Sequence, residues 1–212
     1  RLQGDWSSDV CSSDLDLNFR KKLWRWQTGK GPVELARQTM RELVKHVDLV
    51  IANEEDADMC LGIQAPHSNV EAGEISLDGY GQVAREIVRQ FPNVKRVAIT
   101  LRESISASHN NWGGIFYDAA TDSVHCAPVN ASGRYEPYEI RNIVDRVGAG
   151  DSFAGGLIFA LNTPGLNAPS QAIAYAVAAS CLKHSIKGDF NHSSRSEIEG
   201  LMKGGGSGRV QR

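Results

Sequence analysis

Val144-Asp145-Arg146-Val147-Gly148-Ala149-Gly150-Asp151, continued by Ser152-Phe153-Ala154-Gly155-Gly156-Leu157-Ile158, reads as a Gly-Ala-Gly turn feeding an apolar helix of small residues. A helix start leaves its first N–H groups without partners and carries the positive end of the helix dipole, so it favours a bound anion. Glycines let a ligand approach the main chain closely. The amides of Gly148, Ala149 and Gly150 are therefore the candidate anion hole. Asp151 stands at its mouth, placed to take a proton from an incoming hydroxyl. An anion hole beside a carboxylate base is what phosphoryl transfer from ATP to an alcohol requires.

The composition fits such an enzyme and disfavours other classes. The chain has 212 residues, enough for one domain with a real core, and 41% apolar and 23% charged residues are the balance of a globular protein. A formal net charge of −2 offers no basic field for nucleic acid or anionic membrane. No apolar run reaches the length of a membrane span, and the first residues lack the apolar stretch of a signal peptide, so a cytoplasmic location is expected. Cys11, Cys60, Cys126 and Cys181 are widely spaced and read as reduced thiols, and the six histidines show no metal-ligand spacing. Composition leaves a homo-oligomeric state open.

Residues 1–15 read differently from the rest. Ser7-Ser8-Asp9-Val10 and Ser12-Ser13-Asp14-Leu15 form a near-repeat that is expected to be a non-native junction. Residues 204–212 have the composition of a flexible tail. Between them strands and helices alternate. Strands are expected at Leu15–Phe19, Asp48–Ala52 and Arg96–Thr100. Helices are expected from Pro32, with an apolar face of Leu35, Ala36, Met40, Leu43, Val44 and Val47; over Glu54–Leu61, stopped by Gly62; and over Tyr80–Phe91. Residues 105–127 read as a hairpin or meander with turns at Asn110-Asn111 and Gly113-Gly114, and residues 150–162, 168–185 and 194–203 as helices. This order implies α/β layering around a mostly parallel sheet, with ligands at the carboxyl ends of its strands.

The run Asp145-x-x-Gly148-Ala149-Gly150-Asp151 resembles the signature of the ribokinase-like (PfkB) carbohydrate kinases. The likeness extends from about Asp16 to about Leu201. It implies an α/β, ribokinase-like fold, here the C-terminal portion (16–203) of the kinase domain without the early strands and β lid, and hence a piece of low activity. It also implies Asp151 as base and the Gly-Ala-Gly amides as the hold on the transferring phosphate. Three further segments resemble the 2-keto-3-deoxygluconate kinase branch. In Asp16-Leu17-Asn18-Phe19-Arg20, with Leu23-Trp24 following, the resemblance puts Asn18 near the nucleotide phosphates and Arg20 near the substrate carboxylate; read as residues alone, the segment is also a solvated basic cluster. Thr100-Leu101-Arg102-Glu103-Ser104 stands where the family has a Thr-x-Gly-x-x-Gly loop under the nucleotide, with Arg102 in place of the first glycine; Thr100, Arg102 and Ser104 are the implied ATP contacts, and Arg102 is equally readable as a surface residue. Gly188-Asp189-Phe190-Asn191 implies Asp189 near the sugar hydroxyls.

Asn53-Glu54-Glu55-Asp56 matches the family's Asn-x-x-Glu, which organises Mg²⁺ through water, except that Asp56 is one methylene shorter. The same residues also read as an acidic first helical turn. The expected activity is ATP- and Mg²⁺-dependent phosphorylation of a keto-sugar acid, 2-keto-3-deoxygluconate foremost. The alternatives are a fructokinase- or ribokinase-type sugar kinase and a non-catalytic nucleotide-binding fragment. A nicotinamide-dependent dehydrogenase is disfavoured, because no Gly-x-Gly-x-x-Gly follows the first strand.

Overall fold

The alternating apolar and polar segments assemble as a sheet covered on both faces. The computed structural model describes residues 13–53, 55–64 and 77–204. Its strands are β1 (Asp14–Asp16), β2 (Leu49–Ala52), β3 (Arg96–Ser106), β4 (His109–Asp118), β5 (Ser123–Ala127) and β6 (Tyr138–Ile140). Its α-helices are α1 (Pro32–Leu43), α2 (Leu77–Gln90), α3 (Ala149–Leu161), α4 (Pro169–Lys183) and α5 (Arg195–Met202), and Ala57–Leu61 forms a short π-helix closed by Gly62. No helix among the described residues is long and apolar enough to cross a membrane.

The sheet order is β1-β2-β3-β4-β5, with β6 also paired to β4. The expected parallel sheet holds for β1, β2 and β3 alone. β3–β4, β4–β5 and β4–β6 are antiparallel, so the sheet is mixed. The reason is connection length. β3 and β4 are joined by two residues and β4 and β5 by four, and links that short permit only antiparallel neighbours. The actual turn lies at Ala107-Ser108, while Asn110-Asn111 and Gly113-Gly114 sit inside β4. Packing places those glycines: a side chain at Gly113 would run into the Tyr135 ring. β3 also continues six residues past Thr100, so Thr100–Ser104 is strand rather than loop.

Alternation along the strands divides the core. Leu49, Ile51 and Ala98 join Phe116, Phe153, Leu157 and α4 on one face. Val50, Ala52, Val97, Ile99 and Leu101 join Ala36, Tyr80, Val83 and Ile87 of α1 and α2 on the other. β2 is buried throughout because both faces are covered. Each fully buried aliphatic side chain contributes roughly 1.5–3 kcal/mol. Leu43, expected on the apolar face of α1, is instead 46% exposed at the end of the helix.

The junction expected through residue 15 is already sheet from Asp14. Asp14 and Leu15 pair with Leu49 and Val50, and Ser13 N–H donates to Asp48 Oδ2 at 3.2 Å. Residues 1–12, Glu54 and the tail from 205 lie outside the described residues.

Candidate active site

The signature turn is shaped from within and from forty residues away. Asp145 Oδ1 accepts from Val147 N–H at 3.0 Å and Oδ2 from Gly188 N–H at 2.9 Å, and these two main-chain donors hold its carboxyl below the usual carboxylate range. Val144 N–H also donates to His184 O at 2.8 Å. Gly148 adopts φ 79°, a left-handed conformation, and its missing side chain leaves room for the main-chain carbonyl of Asp189. Ser180 Oγ–H, buried, donates to Ala149 O at 2.7 Å and pins the first residue of α3.

The helix ladder begins with Ser152 N–H on Gly148 O at 2.9 Å. The N–H groups of Gly150 and Asp151 therefore have no preceding-turn carbonyl and point outward from the helix end. Ala149 N–H differs from its two glycine neighbours: it turns back onto Arg146 O, a long contact of 3.4 Å. Ala149 is buried, and Gly150 and Asp151 are exposed.

A cleft of about 180 Å³ opens where β1, β2 and β3 run out towards this helix end. It brings together Asn18, Arg20, Asn53, Asp56, Thr100 and Arg102 with Ala149 and Gly150. The period of two along β3 explains part of this: Thr100 and Arg102 point to the same face as Ala98, towards α3 and α4. Asn18 is held at φ 36°, a left-handed conformation that Asn tolerates better than most residues. Four expected site residues are not on this lining. Gly148 lies behind it and Ser104 is exposed further along β3. Asp151 and Asp189 line an adjoining depression of about 360 Å³, with Phe159, Tyr175 and Phe190.

Asn53 and Asp56 hold each other. Asn53 Oδ1 accepts from the N–H of Glu55 (2.8 Å) and Asp56 (3.0 Å), and Asp56 Oδ2 accepts from Asn53 N–H at 3.1 Å. This is a reciprocal helix-start cap, with Asp in the position where Glu or Gln is usual. Asp56 Oδ1 meanwhile accepts from Phe19 N–H at 2.9 Å, tying the β1 loop to the β2 loop. At 3% exposure Asp56 is a clasp between two strand ends. Among the described residues, no group of three or more His, Cys, Asp or Glu is arranged to hold a metal ion.

Asp16 is the carboxylate that the sequence pattern alone does not single out. It lines the cleft at the end of β1, and burial, then the negative charges of Asp56 and Asp151, push its pKa up to about 6. Asp16, Asn18 and Arg20 all line the cleft, but β1 ends at Asp16 and Asn18 turns to φ 36°, so a loop rather than strand alternation brings them together. A carboxyl raised on folding contributes its stability below the unfolded value, near 3.8, and loses it as pH rises through about 6. Asp16→Asn should therefore be more stable than the parent at pH 8 by something on the order of 1–2 kcal/mol once solvent screening is allowed for. The gap should close by pH 4. Thermal unfolding of both proteins across that range measures it, and a constant gap would mean that Asp16 does not titrate with folding.

The structure adds other cleft residues: Asn110 and Trp112 on β4, Arg146 in the signature turn and His184 after α4. Arg146 Nη2 donates to Ala107 O at 2.8 Å and reaches Ser106 O and Asn110 Oδ1 at 3.3 Å, fastening the β3–β4 turn to the signature turn. These were hidden because a β3 that ends at Thr100 gives β4 no register.

No family model matches the chain. A 2-dehydro-3-deoxygalactonokinase of Haloferax volcanii is 26% identical over 195 residues, covering 92% of this chain and 48% of that protein. The crystal structure of a 2-dehydro-3-deoxygluconokinase from Thermotoga maritima superposes with a TM-score of 0.72 at 38% identity, over 90% of this chain and 50% of its own. A PfkB-family carbohydrate kinase from Listeria grayi gives a TM-score of 0.68 at 27% identity, over 90% and 49%. The chain thus spans about half the length of the relatives it matches. In sequence and in fold, it is similar to ribokinase-like (PfkB) carbohydrate kinases over about half of their length.

Proposed function

We propose that the protein transfers the γ-phosphoryl group of ATP to a hydroxyl of a keto-sugar acid, 2-keto-3-deoxygluconate foremost. The observation that supports this reading is the cleft at one helix end, where Arg20 and Arg102 meet the start of α3, with Asp151 in the adjoining depression. Asp151 takes the proton of the attacking hydroxyl, whose oxygen bonds to the γ-phosphorus as the bond to the β-phosphate oxygen breaks. The N–H groups of Gly148, Ala149 and Gly150 stabilise charge on the phosphoryl oxygens, with Gly150 the most open of the three. Asn18, Thr100, Arg102 and Ser104 serve the nucleotide. Arg20 pairs with the substrate carboxylate through a two-pronged contact, and Asp189 approaches the sugar hydroxyls.

Mg²⁺, when bound, would neutralise phosphate charge. The oxygen donors Asp16, Asn53 and Asp56 suit such an ion, which takes few protein ligands and keeps its waters. Asn53 and Asp56, being engaged with the main chain, would act through water. A location in the cytoplasm accords with an ATP-consuming reaction.

A second reading concerns the epimer, because one relative is a galactonate-type kinase. The test is ADP release with ATP and, in turn, 2-keto-3-deoxygluconate, 2-keto-3-deoxygalactonate, fructose and ribose, alongside calorimetry with ATP and NAD. ADP release with a keto acid, and little with fructose or ribose, is expected. Binding of NAD in preference to ATP would overturn the kinase reading. ATP binding without release on any sugar would leave a nucleotide-binding module.

A further inference from the structure

The end of the cleft farthest from Asp16 is built from groups to which the reaction above gives no work. β4 presents Asn110 and Trp112 two residues apart, hence on one face, opposite Ser104 and Arg102 of β3. Asn110 is fully buried and Trp112 is 6% exposed, and both line the cleft. Asn110 Oδ1 faces Arg146 Nη2, and a guanidinium only donates, so the amide orientation is fixed and its NH₂ is turned the other way. Neither that NH₂ nor the Trp112 Nε1–H meets an acceptor among the described residues. Buried donors without acceptors are rare in folded proteins, and they call for a partner.

His184 completes the corner. Its ring stands edge-on to Trp112 at 4.9 Å. Its Nδ1 lies 2.8 Å from Ser180 O, a carbonyl that can only accept, so Nδ1 carries the proton. Burial, with Arg146, Lys183 and Arg102 nearby, lowers the ring's pKa and leaves Nε2 as an acceptor. Arg146 is committed to the hairpin carbonyls. The corner therefore offers two neutral donors, one neutral acceptor and an aromatic wall. A phosphate would face the lone pair of Nε2. A nucleoside, which carries ring nitrogens and hydroxyl oxygens as acceptors and an amine or hydroxyl as donor, matches all three groups.

We propose that Asn110, Trp112 and His184 form a nucleoside subsite, reading the base or ribose of the nucleotide through neutral hydrogen bonds while the helix end and the arginines deal with its phosphates. This rests on the ATP reading above. The test is calorimetry of ADP and of inorganic tripolyphosphate with the parent, Trp112→Phe and Asn110→Leu, each checked for a cooperative unfolding transition. Each variant should bind ADP about five- to tenfold more weakly, the worth of one hydrogen bond. Tripolyphosphate affinity should stay within about twofold of the parent's, less than one lost hydrogen bond would cost. Unchanged ADP affinity would overturn the subsite and spare the kinase reading. Parallel weakening of both ligands would show a merely structural role and overturn it as well. A parent that binds no ADP would sink both proposals.

Discussion

Asp151→Asn is expected to lower phosphoryl transfer by about 10²- to 10⁴-fold, the usual contribution of a positioned general base. Nucleotide affinity should change little, because the substitution keeps the size of the side chain and the N–H groups of the helix end. Asp151 is exposed at the first turn of α3 beside the outward N–H groups of the helix end, and its charge is felt by Asp16. That neighbour is the competitor for the role, since a carboxyl near pKa 6 is also poised to exchange protons. Comparing kcat for Asp151→Asn and Asp16→Asn separates them. If the Asp151 variant turns over normally while the Asp16 variant is dead, the base is at the end of β1 and Asp151 is not the proton acceptor.

Gly148→Ala should cost stability on the scale of 3 kcal/mol or more, about 6–12 °C in the unfolding midpoint for a domain of this size. Two effects add. A left-handed conformation costs a residue with a side chain roughly 1–2 kcal/mol. The new methyl would also occupy the place of the Asp189 carbonyl, which is main chain and cannot rotate aside. Gly165→Ala isolates the first effect, because Gly165 has φ 87° and a methyl group added there would meet nothing within 4 Å. Thermal unfolding of the two variants measures the difference. Equal losses would mean that the Asp189 contact is soft. The Gly148 variant should also lose nucleotide affinity, since the turn cannot keep its shape while the 188–190 segment moves away.

The sequence was most readable where a segment's neighbours are generic. Leu49–Ala52 needs only two apolar layers, and its run of buried residues says so without help. The helices from Pro32 and around Tyr80 follow from their apolar spacing in the same way. β3 past Thr100 was unreadable because Arg102, Glu103 and Ser104 gain their strand conformation from pairing with Trp112, Asn111 and Asn110, a contact that no local pattern announces. Asn-Asn and Gly-Gly misled for a related reason: their places in β4 are set by register and by the Tyr135 ring, not by turn preference. At the site, the helix start after Gly-Ala-Gly was legible from its own residues, but the contacts of Asp145 with Gly188 and of Gly148 with Asp189 that shape the turn were not. The reciprocal cap between Asn53 and Asp56 was half legible, as an acidic first turn; that Asp56 also grips Phe19 N–H required knowing that β1 and β2 are neighbours. Asn110, Trp112, Arg146 and His184 come from three separate stretches of chain, and only the folded arrangement makes them one corner.

The hydrogen bond from Gly188 to Asp145 spans 43 positions of sequence. Its consequence is an order of assembly. The turn at Asp145–Asp151 gains this bond only after α4 has docked and the chain behind it has returned. If the turn holds phosphate as proposed, nucleotide binding would report completed folding, and a polypeptide stopped short of residue 188 would carry the full motif yet lack this bond.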